Sequence, residues 1–220
     1  MTSTPARDAL TAIREQYVSA LIDGDAIAAH AHVAEALTVA PVADVYLDVV
    51  GPALHEVGRR WERALVTVAE EHLATSVSEI VLAELAGRLP RGRRRNRTAI
   101  VACGPGEQHA VASRVVADFL DADGWDTLHL GAMTPGGALA ELAVSRRADV
   151  VAISASLPLR IPEAADACRR LKALPFAPVV ALGGQAFASA RQALATGADL
   201  HAGSPAGLVD ALDERFPRER

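Results

Sequence analysis

The spacing of apolar residues divides the chain into two regions with different periods. Between Pro5 and about Leu89, apolar positions recur every three or four residues, as in helices that bury one face. A first helix is predicted to end near Gly24, Asp25 is placed to cap a second, and a third begins at Pro41. The apolar positions of the first helix, for example, are Ala9, Ile13, Tyr17 and Leu21.

The third and fourth helices carry local signals of their own. Gly51-Pro52 interrupts the third pattern, and we expect a kink or a division there because proline has no amide hydrogen to donate. Thr67-Val-Ala-Glu70 has the spacing of a capping box, which predicts the start of the fourth helix. Four helices joined by short turns predict a four-helix bundle over residues 1–89.

The pattern changes after a short basic run. Residues 90–97 (Pro-Arg-Gly-Arg-Arg-Arg-Asn-Arg) have no apolar period, and they most simply form a solvated basic linker; a patch for an anionic partner is the alternative. From Thr98 onwards, short apolar runs alternate with helical patterns. This alternation predicts an α/β fold over residues 98–220, a flavodoxin- or Rossmann-like, doubly wound parallel sheet of five strands. The strands are predicted at Thr98–Cys103, Asp126–Leu130, Val150–Ser154, Val179–Leu182 and Leu200–Ala202, and the helices at 108–122, 136–146, 161–173, 186–196 and 205–214.

Composition and charge narrow the classes of function. The net charge of −5 argues against nucleic acid as a direct partner, because phosphate contacts need clustered Lys and Arg. The two cysteines form no disulfide framework, which suits a reducing compartment. The sequence shows neither a signal peptide nor an apolar run of membrane-spanning length. A cytoplasmic protein without a membrane partner is therefore expected.

Three of the predicted strands end in residues that suit a binding site. The first is followed by Glu107-x-His109, the third by Ser154-x-Ser156 and the fourth by Gly183-Gly184. Each piece alone has an ordinary explanation, namely a loop histidine, serines that cap a helix, or glycines in a turn. Ligands of open α/β sheets bind over the carboxyl ends of the strands, so together the pieces predict a slot with one imidazole at its mouth. A nucleotide is not indicated, since this stretch contains no G-x-G-x-x-G and no Walker lysine.

This combination resembles the cobalamin-binding (vitamin B12) signature, whose usual form is Asp/Glu-x-His-x-x-Gly, Ser-x-Leu and Gly-Gly. The resemblance implies base-off cobalamin, with His109 replacing the cofactor's own base as the lower cobalt ligand and Glu107 supporting that histidine. It also implies a slot for the displaced nucleotide tail. The residues assigned to the slot and its surroundings are Gln108, Ser154, Ser156, Leu157, Gly183 and Gly184. Ala112 and Ser156 stand where the signature has Gly and Leu, which we expect to change affinity rather than identity.

The helical region carries a second motif, in which Trp61 is followed after nine residues by Glu71-His72. This spacing resembles the helix-bundle cap of CarH/LitR-type photoreceptors, which bind adenosylcobalamin. The resemblance implies that the upper, adenosyl face of the corrin is covered by Trp61, Val68, Glu71 and His72. The ordinary alternative is a core tryptophan and an exposed Glu-His pair.

Two features depart from that family. Its members carry an N-terminal DNA-binding domain, whereas the helical pattern here begins near residue 5. Many also have a histidine directly after the tryptophan, which becomes the upper cobalt ligand after light, and this chain has Glu62 there. The upper ligand would then be water or another histidine, such as His55, His72 or His129.

Three functions follow from these motifs. The favoured one is a stand-alone adenosylcobalamin photoreceptor, not an enzyme, whose output passes through a homo-oligomer or a separate regulatory protein. The first alternative is a corrinoid carrier for a methyltransferase system, which shares the His109 motif but has no need of Trp61 and Glu71-His72. The second is a cobalamin-dependent photochemical or radical enzyme, in which Glu62, Glu71 or His72 acts as acid or base.

Overall fold

The computed structural model describes residues 4–218, and the chain divides into two compact units, Met1–Leu89 and Pro90–Arg220. The first unit is helical. Its helices are α1 (Thr4–Ile22), α2 (Ala26–Val39), α3 (Val42–Glu62) and α4 (Val68–Ala86). None of the helices within residues 4–218 is long and apolar enough to cross a membrane.

The helix starts follow the predicted capping signals. Asp25 caps α2, its Oδ1 accepting the Ala28 N–H at 2.9 Å. Thr67 and Glu70 form both bonds of the capping box that begins α4, with the Thr67 N–H donating to Glu70 Oε2 at 2.7 Å. These caps are local, satisfying amides that the first helical turn leaves without partners.

Helix α3 contains a π-helical segment instead of a break at Gly51-Pro52. It is α-helical over Val42–Asp44, π-helical over Val45–Val50 and α-helical again from Gly51. Pro52 has no N–H for the Asp48 carbonyl, and Arg14 Nη1 donates to that oxygen instead, at 3.3 Å. The Gly51 N–H reaches back five residues, to the Tyr46 carbonyl. The predicted kink is therefore absorbed as one wider stretch inside a continuous helix.

The second unit contains the predicted five-stranded parallel sheet. The strand order is β2-β1-β3-β4-β5, the order of flavodoxin-like, doubly wound folds, so the predicted fold class is confirmed. The strands are β1 (Thr98–Cys103), β2 (Asp126–His129), β3 (Val150–Ser154), β4 (Val179–Gly183) and β5 (Leu200–Ala202). The helices are α5 (Val111–Ala122), α6 (Gly136–Arg146), α7 (Ile161–Lys172), α8 (Ala190–Leu194) and α9 (Pro205–Arg215).

Both faces of this sheet are buried under helices. Ile100 and Ala102 of β1 belong to one hydrophobic cluster, which includes residues of α6, α7 and α8. Ala99 and Val101 alternate with them and belong to a second cluster, with residues of α5 and α9. A strand buried on both faces favours apolar residues throughout, which explains the apolar runs of the central strands β1, β3 and β4. The edge strand β2 differs, because its sequence is Asp-Thr-Leu-His and both of its ends are exposed.

The basic run before β1 is not solvated throughout, which departs from the predicted linker. The Arg95 side chain is buried and bonds to the Asp123 and Asp213 carboxylates, the former at 2.6 Å from its Nε. Its guanidinium also lies 5.4 Å from the centre of the Trp125 ring. A buried guanidinium needs carboxylate partners. Because these carboxylates belong to the α/β unit, they attach the basic run to it.

Candidate functional site

The three motif pieces of the α/β unit lie side by side at the carboxyl edge of the sheet. The register pairs Cys103 of β1 with Ser154 of β3, and Ser154 with Gly183 of β4. The loops that follow these strands carry the predicted residues. The fold therefore brings the pieces together where doubly wound sheets bind ligands.

The loop after β1 places a buried carboxylate between two loops. Glu107 is 1% exposed, and its N–H donates to the Gly104 carbonyl at 3.1 Å. Its Oε1 accepts the His109 N–H at 2.9 Å and lies 2.5 Å from His109 Nδ1. Its Oε2 accepts the Ser156 N–H at 2.7 Å. Glu107 thus fixes His109 and also joins the loop after β1 to the loop after β3.

The charge of Glu107 determines the tautomer of His109. Burial raises the pKa of Glu107, but the hydrogen bonds from His109 and Ser156 outweigh burial and hold that pKa below its usual value. An ionised carboxylate can only accept, so Nδ1 of His109 carries the proton. In the neutral imidazole, Nε2 is then the nitrogen with the lone pair, and the side chain is 53% exposed. A carboxylate on the far nitrogen is the usual support for a metal-binding histidine.

The paired glycines are required by the chain itself as well as by any ligand. Gly184 has φ +97°, and a Cβ there would lie 2.2 Å from the Ala155 carbonyl oxygen. The loop after β4 bonds directly to the loop after β3, through the Ala155 N–H to the Gly183 carbonyl at 3.0 Å. The sequence left a turn as the ordinary explanation of these glycines, and the close packing of backbone against backbone gives that explanation a physical reason.

The remaining predicted residues of this unit differ in exposure. Ser154 is buried at 7%, Ser156 is half-buried, and both Gln108 and Leu157 are exposed. Ser156 contributes its backbone N–H to Glu107. From the sequence, Ser156 was only a departure from the leucine of the signature. Its role through the backbone could not be recognised there, because every residue except proline has a backbone N–H.

A buried network behind His109 was not predicted. Ser113 Oγ lies 2.7 Å from the Ala110 carbonyl oxygen, 2.9 Å from His129 Nε2 and 3.3 Å from Cys103 Sγ. Burial, assisted by Arg114 and opposed by Asp118, lowers the pKa of His129. Since Nε2 of His129 is hydrogen-bonded to Ser113, this histidine is poorly suited to be the upper ligand. The only sequence signal for Ser113 is its position one helical turn after His109.

The motif of the helical unit has exposed side chains at its centre. Trp61, at the end of α3, is 46% exposed, and Val68 at the start of α4 is 52% exposed, so the alternative of a core tryptophan is wrong. His72 Nδ1 lies 2.6 Å from Glu71 Oε2, while Glu71 Oε1 accepts the Thr75 hydroxyl at 3.0 Å. The His72 imidazole is 75% exposed. Each unit therefore contains a histidine whose Nδ1 is held by a glutamate.

The donor set suits a metal that brings most of its own ligands. Among residues 4–218 no group of three or more His, Cys, Asp and Glu side chains could hold a metal ion. One exposed imidazole with a supporting carboxylate, such as His109, suits a metal whose equatorial positions belong to a macrocycle. Cobalamin is such a group, because its corrin ring supplies four nitrogens to cobalt.

Comparisons with known proteins agree with this chemistry. Two family models, each described as a B12 binding domain, match residues 13–86 and 97–211. The HTH-type transcriptional repressor CarH of Myxococcus xanthus is 32% identical over 156 residues, 70% of this chain and 52% of the repressor. The repressor CarA of the same organism is 37% identical over 106 residues, 47% of this chain and 34% of its own. The chain thus spans about half or less of these curated relatives.

A solved structure shares the fold. The monomethylamine corrinoid protein of Methanosarcina barkeri superimposes with a TM-score of 0.76 at 20% identity, covering 92% of this chain and 98% of that one. At this identity the likeness concerns architecture alone. The second family model by itself covers more than half of the chain. The chain therefore belongs to the family of B12-binding domain proteins, and it is a cobalamin-binding module.

Proposed function

We propose that the protein is a light sensor that binds adenosylcobalamin base-off. The observation that carries this proposal is the exposed Trp61 with the Glu71-His72 pair, in a chain that also holds the Glu107-His109 pair. A carrier or a simple binding module needs only the second pair. Bound adenosylcobalamin supplies a cobalt–carbon bond that light can break.

On the lower face, His109 holds cobalt through Nε2. Glu107 keeps the proton on Nδ1 and fixes the ring plane, so the imidazole needs no reorganisation on binding. The slot beside Ser154, with Gly183 and Gly184, takes the displaced nucleotide tail. Gln108, Ser156 and Leu157 contact the cofactor around its entrance.

On the upper face, Trp61 and Val68 cover the adenosyl group, and Glu71 with His72 supplies polar contacts. Both apolar side chains are exposed to water, so covering them with a cofactor is favourable. Glu62 follows Trp61 in place of a histidine. His72 is then the best candidate for a protein ligand after light, because Glu71 holds Nδ1 and leaves Nε2 available.

The proposal is tested with protein reconstituted with adenosylcobalamin in the dark. Its absorption spectrum and its gel-filtration volume are measured before and after green light. We expect a spectral change that differs from that of free cofactor, together with a shift in elution volume. Binding without a light response specific to the protein would favour a methyl-group carrier, and a failure to bind adenosylcobalamin would contradict the proposal altogether.

Replacing Trp61 with alanine tests the upper-face assignment. We expect the preference for adenosylcobalamin over methylcobalamin to fall by roughly tenfold or more, since a buried aromatic contact commonly contributes that much to binding. The measurement is the ratio of the two dissociation constants. Ile80→Ala is the matched control. It also removes an exposed apolar side chain, 56% exposed, but one that lies on α4 and outside the motif. An unchanged ratio in Trp61→Ala would remove Trp61 from the site.

A further inference from the structure

The backbone around His109 is also held by buried side chains other than Glu107. Ser113, fully buried in the first turn of α5, donates its hydroxyl hydrogen to the Ala110 carbonyl at 2.7 Å. Cys103 Sγ lies 3.5 Å from the His109 carbonyl oxygen. Glu107 meanwhile binds the His109 N–H and Nδ1. His109 is therefore contacted at its N–H, its Nδ1 and its carbonyl oxygen.

The contact between Ser113 and His129 has a defined polarity. A serine hydroxyl can donate one hydrogen bond, and here the Ala110 carbonyl accepts it. His129 Nε2, 2.9 Å from Ser113 Oγ, must then be the donor. His129 stands at the end of β2, beside the carboxyl end of β1. The hydrogen bond thus connects the strand edge to the loop that carries His109.

No capping side chain contributes to this restraint. Ala110 is the N-cap residue of α5, and it makes no side-chain cap bond. A helix start usually gains its order from a Ser, Thr, Asp or Asn at that position. At α5, Ser113 restrains the Ala110 carbonyl, and His129 restrains Ser113.

We propose that Ser113 and His129 are positioning residues, which hold the backbone after His109 so that its Nε2 faces the cofactor in one orientation. This inference rests on the proposed ligation of cobalt by His109. Neither residue touches cobalt. They restrict the conformations of the His109 loop before the cofactor binds, and this lowers the conformational entropy lost when the bond to cobalt forms.

The test uses the full chain, labelled with heavy-nitrogen histidine and loaded with cob(II)alamin. The label lets the electron paramagnetic resonance spectrum distinguish an axial histidine nitrogen from the nitrogen of the cofactor's own base, and a titration gives the dissociation constant. For Ser113→Ala we expect a smaller fraction of cobalt with nitrogen splitting and a dissociation constant raised roughly tenfold, the usual effect of losing one buried hydrogen bond. His129→Ala should show the same changes.

Two further variants separate positioning from general damage. His129→Gln keeps an N–H donor near the place of Nε2 and should restore most of the wild-type splitting and affinity. Ser145→Ala is the matched control, because the Ser145 hydroxyl also donates to a carbonyl three residues back, that of Leu142, but on the exposed surface of α6. Circular dichroism tests whether each variant is folded. If Ser113→Ala does not fold, the comparison of His129→Ala with His129→Gln decides the matter.

The outcomes distinguish this inference from the proposed function. Wild-type protein without histidine splitting would contradict the ligation by His109 and the inference with it. Splitting that is equally strong in wild type, Ser113→Ala and His129→Ala would overturn only the positioning role. The same loss in Ser145→Ala as in Ser113→Ala would also overturn it, since the effect would not belong to the network.

Discussion

The His109→Ala variant is expected to bind cobalamin without any protein nitrogen on cobalt. His109 is the exposed imidazole at the carboxyl edge of the sheet whose Nδ1 is held by a buried carboxylate, which leaves Nε2 for a metal. Removing it would take away the proposed lower ligand of cobalt, not merely a neighbour of that ligand. The loss in affinity should therefore reach the upper end of the 10–100-fold range that outer-shell partners of metal ligands show.

The measurement is again the cob(II)alamin paramagnetic resonance spectrum, together with a dissociation constant. The histidine splitting should vanish in His109→Ala. His32→Ala is the matched control, because His32 also has a carboxylate neighbour, Glu35 at 3.8 Å, but belongs to neither motif. With histidine labelled by heavy nitrogen, labelled splitting that persists in His109→Ala would assign the lower ligand to another histidine, whereas unlabelled splitting would come from the cofactor's own base.

Local signals explain what the sequence could predict. Asp25 and the Thr67–Glu70 pair form caps within three residues of themselves, so their chemistry can be recognised without the fold. The sheet was predictable for a related reason, since its central strands β1, β3 and β4 are largely apolar runs. Spacing along the chain then placed Glu107, Ser154 and Gly183 at adjacent strand ends.

Contacts between distant segments explain what the sequence could not predict. Ser156 holds Glu107 through its backbone N–H, from 49 positions away, and that N–H would be present with any residue except proline. Arg95 looks like its solvated neighbours, yet its partner Asp213 lies 118 positions further on. In the π-helical stretch, the Asp48 carbonyl accepts a hydrogen bond from Arg14, 34 positions earlier. In each case the sequence shows a donor, and only the fold supplies its acceptor.

Each unit contains a histidine whose Nδ1 is held by a glutamate, and the two glutamates differ in burial. Glu107 is 1% exposed and bonds to two loops, which makes the imidazole beside it rigid. Glu71 is 24% exposed at its side chain, and its second partner is Thr75 on the same helix. A rigid histidine suits a permanent ligand. A more exposed one suits a contact that can be made and broken, as the proposed light sensor would require.

The Glu107→Gln variant should lose both stability and correct ligation. Glu107 receives N–H groups on both oxygens, so an amide would have to point its NH₂ at a donor, either from His109 or from Ser156. Losing a charge-assisted hydrogen bond and leaving a buried donor unpaired should lower the free energy of unfolding by roughly 3 kcal/mol. Guanidinium unfolding of the full chain measures this. Glu163→Gln is the control, since its Oε2 has no hydrogen-bond partner to lose.

Acid should reveal the same group in the wild-type protein. The pKa of Glu107 is lowered on folding, so its carboxylate contributes stability above the unfolded value, 4.5, and this contribution is lost as pH falls through the lowered pKa. Glu107→Gln should lack this part of the acid dependence, whereas Glu163→Gln should retain it. Without the carboxylate, Nδ1 of His109 is no longer obliged to carry the proton, so the histidine splitting of bound cob(II)alamin should also weaken. Equal acid profiles in wild type and Glu107→Gln would show that this carboxylate does not stabilise the loops around His109.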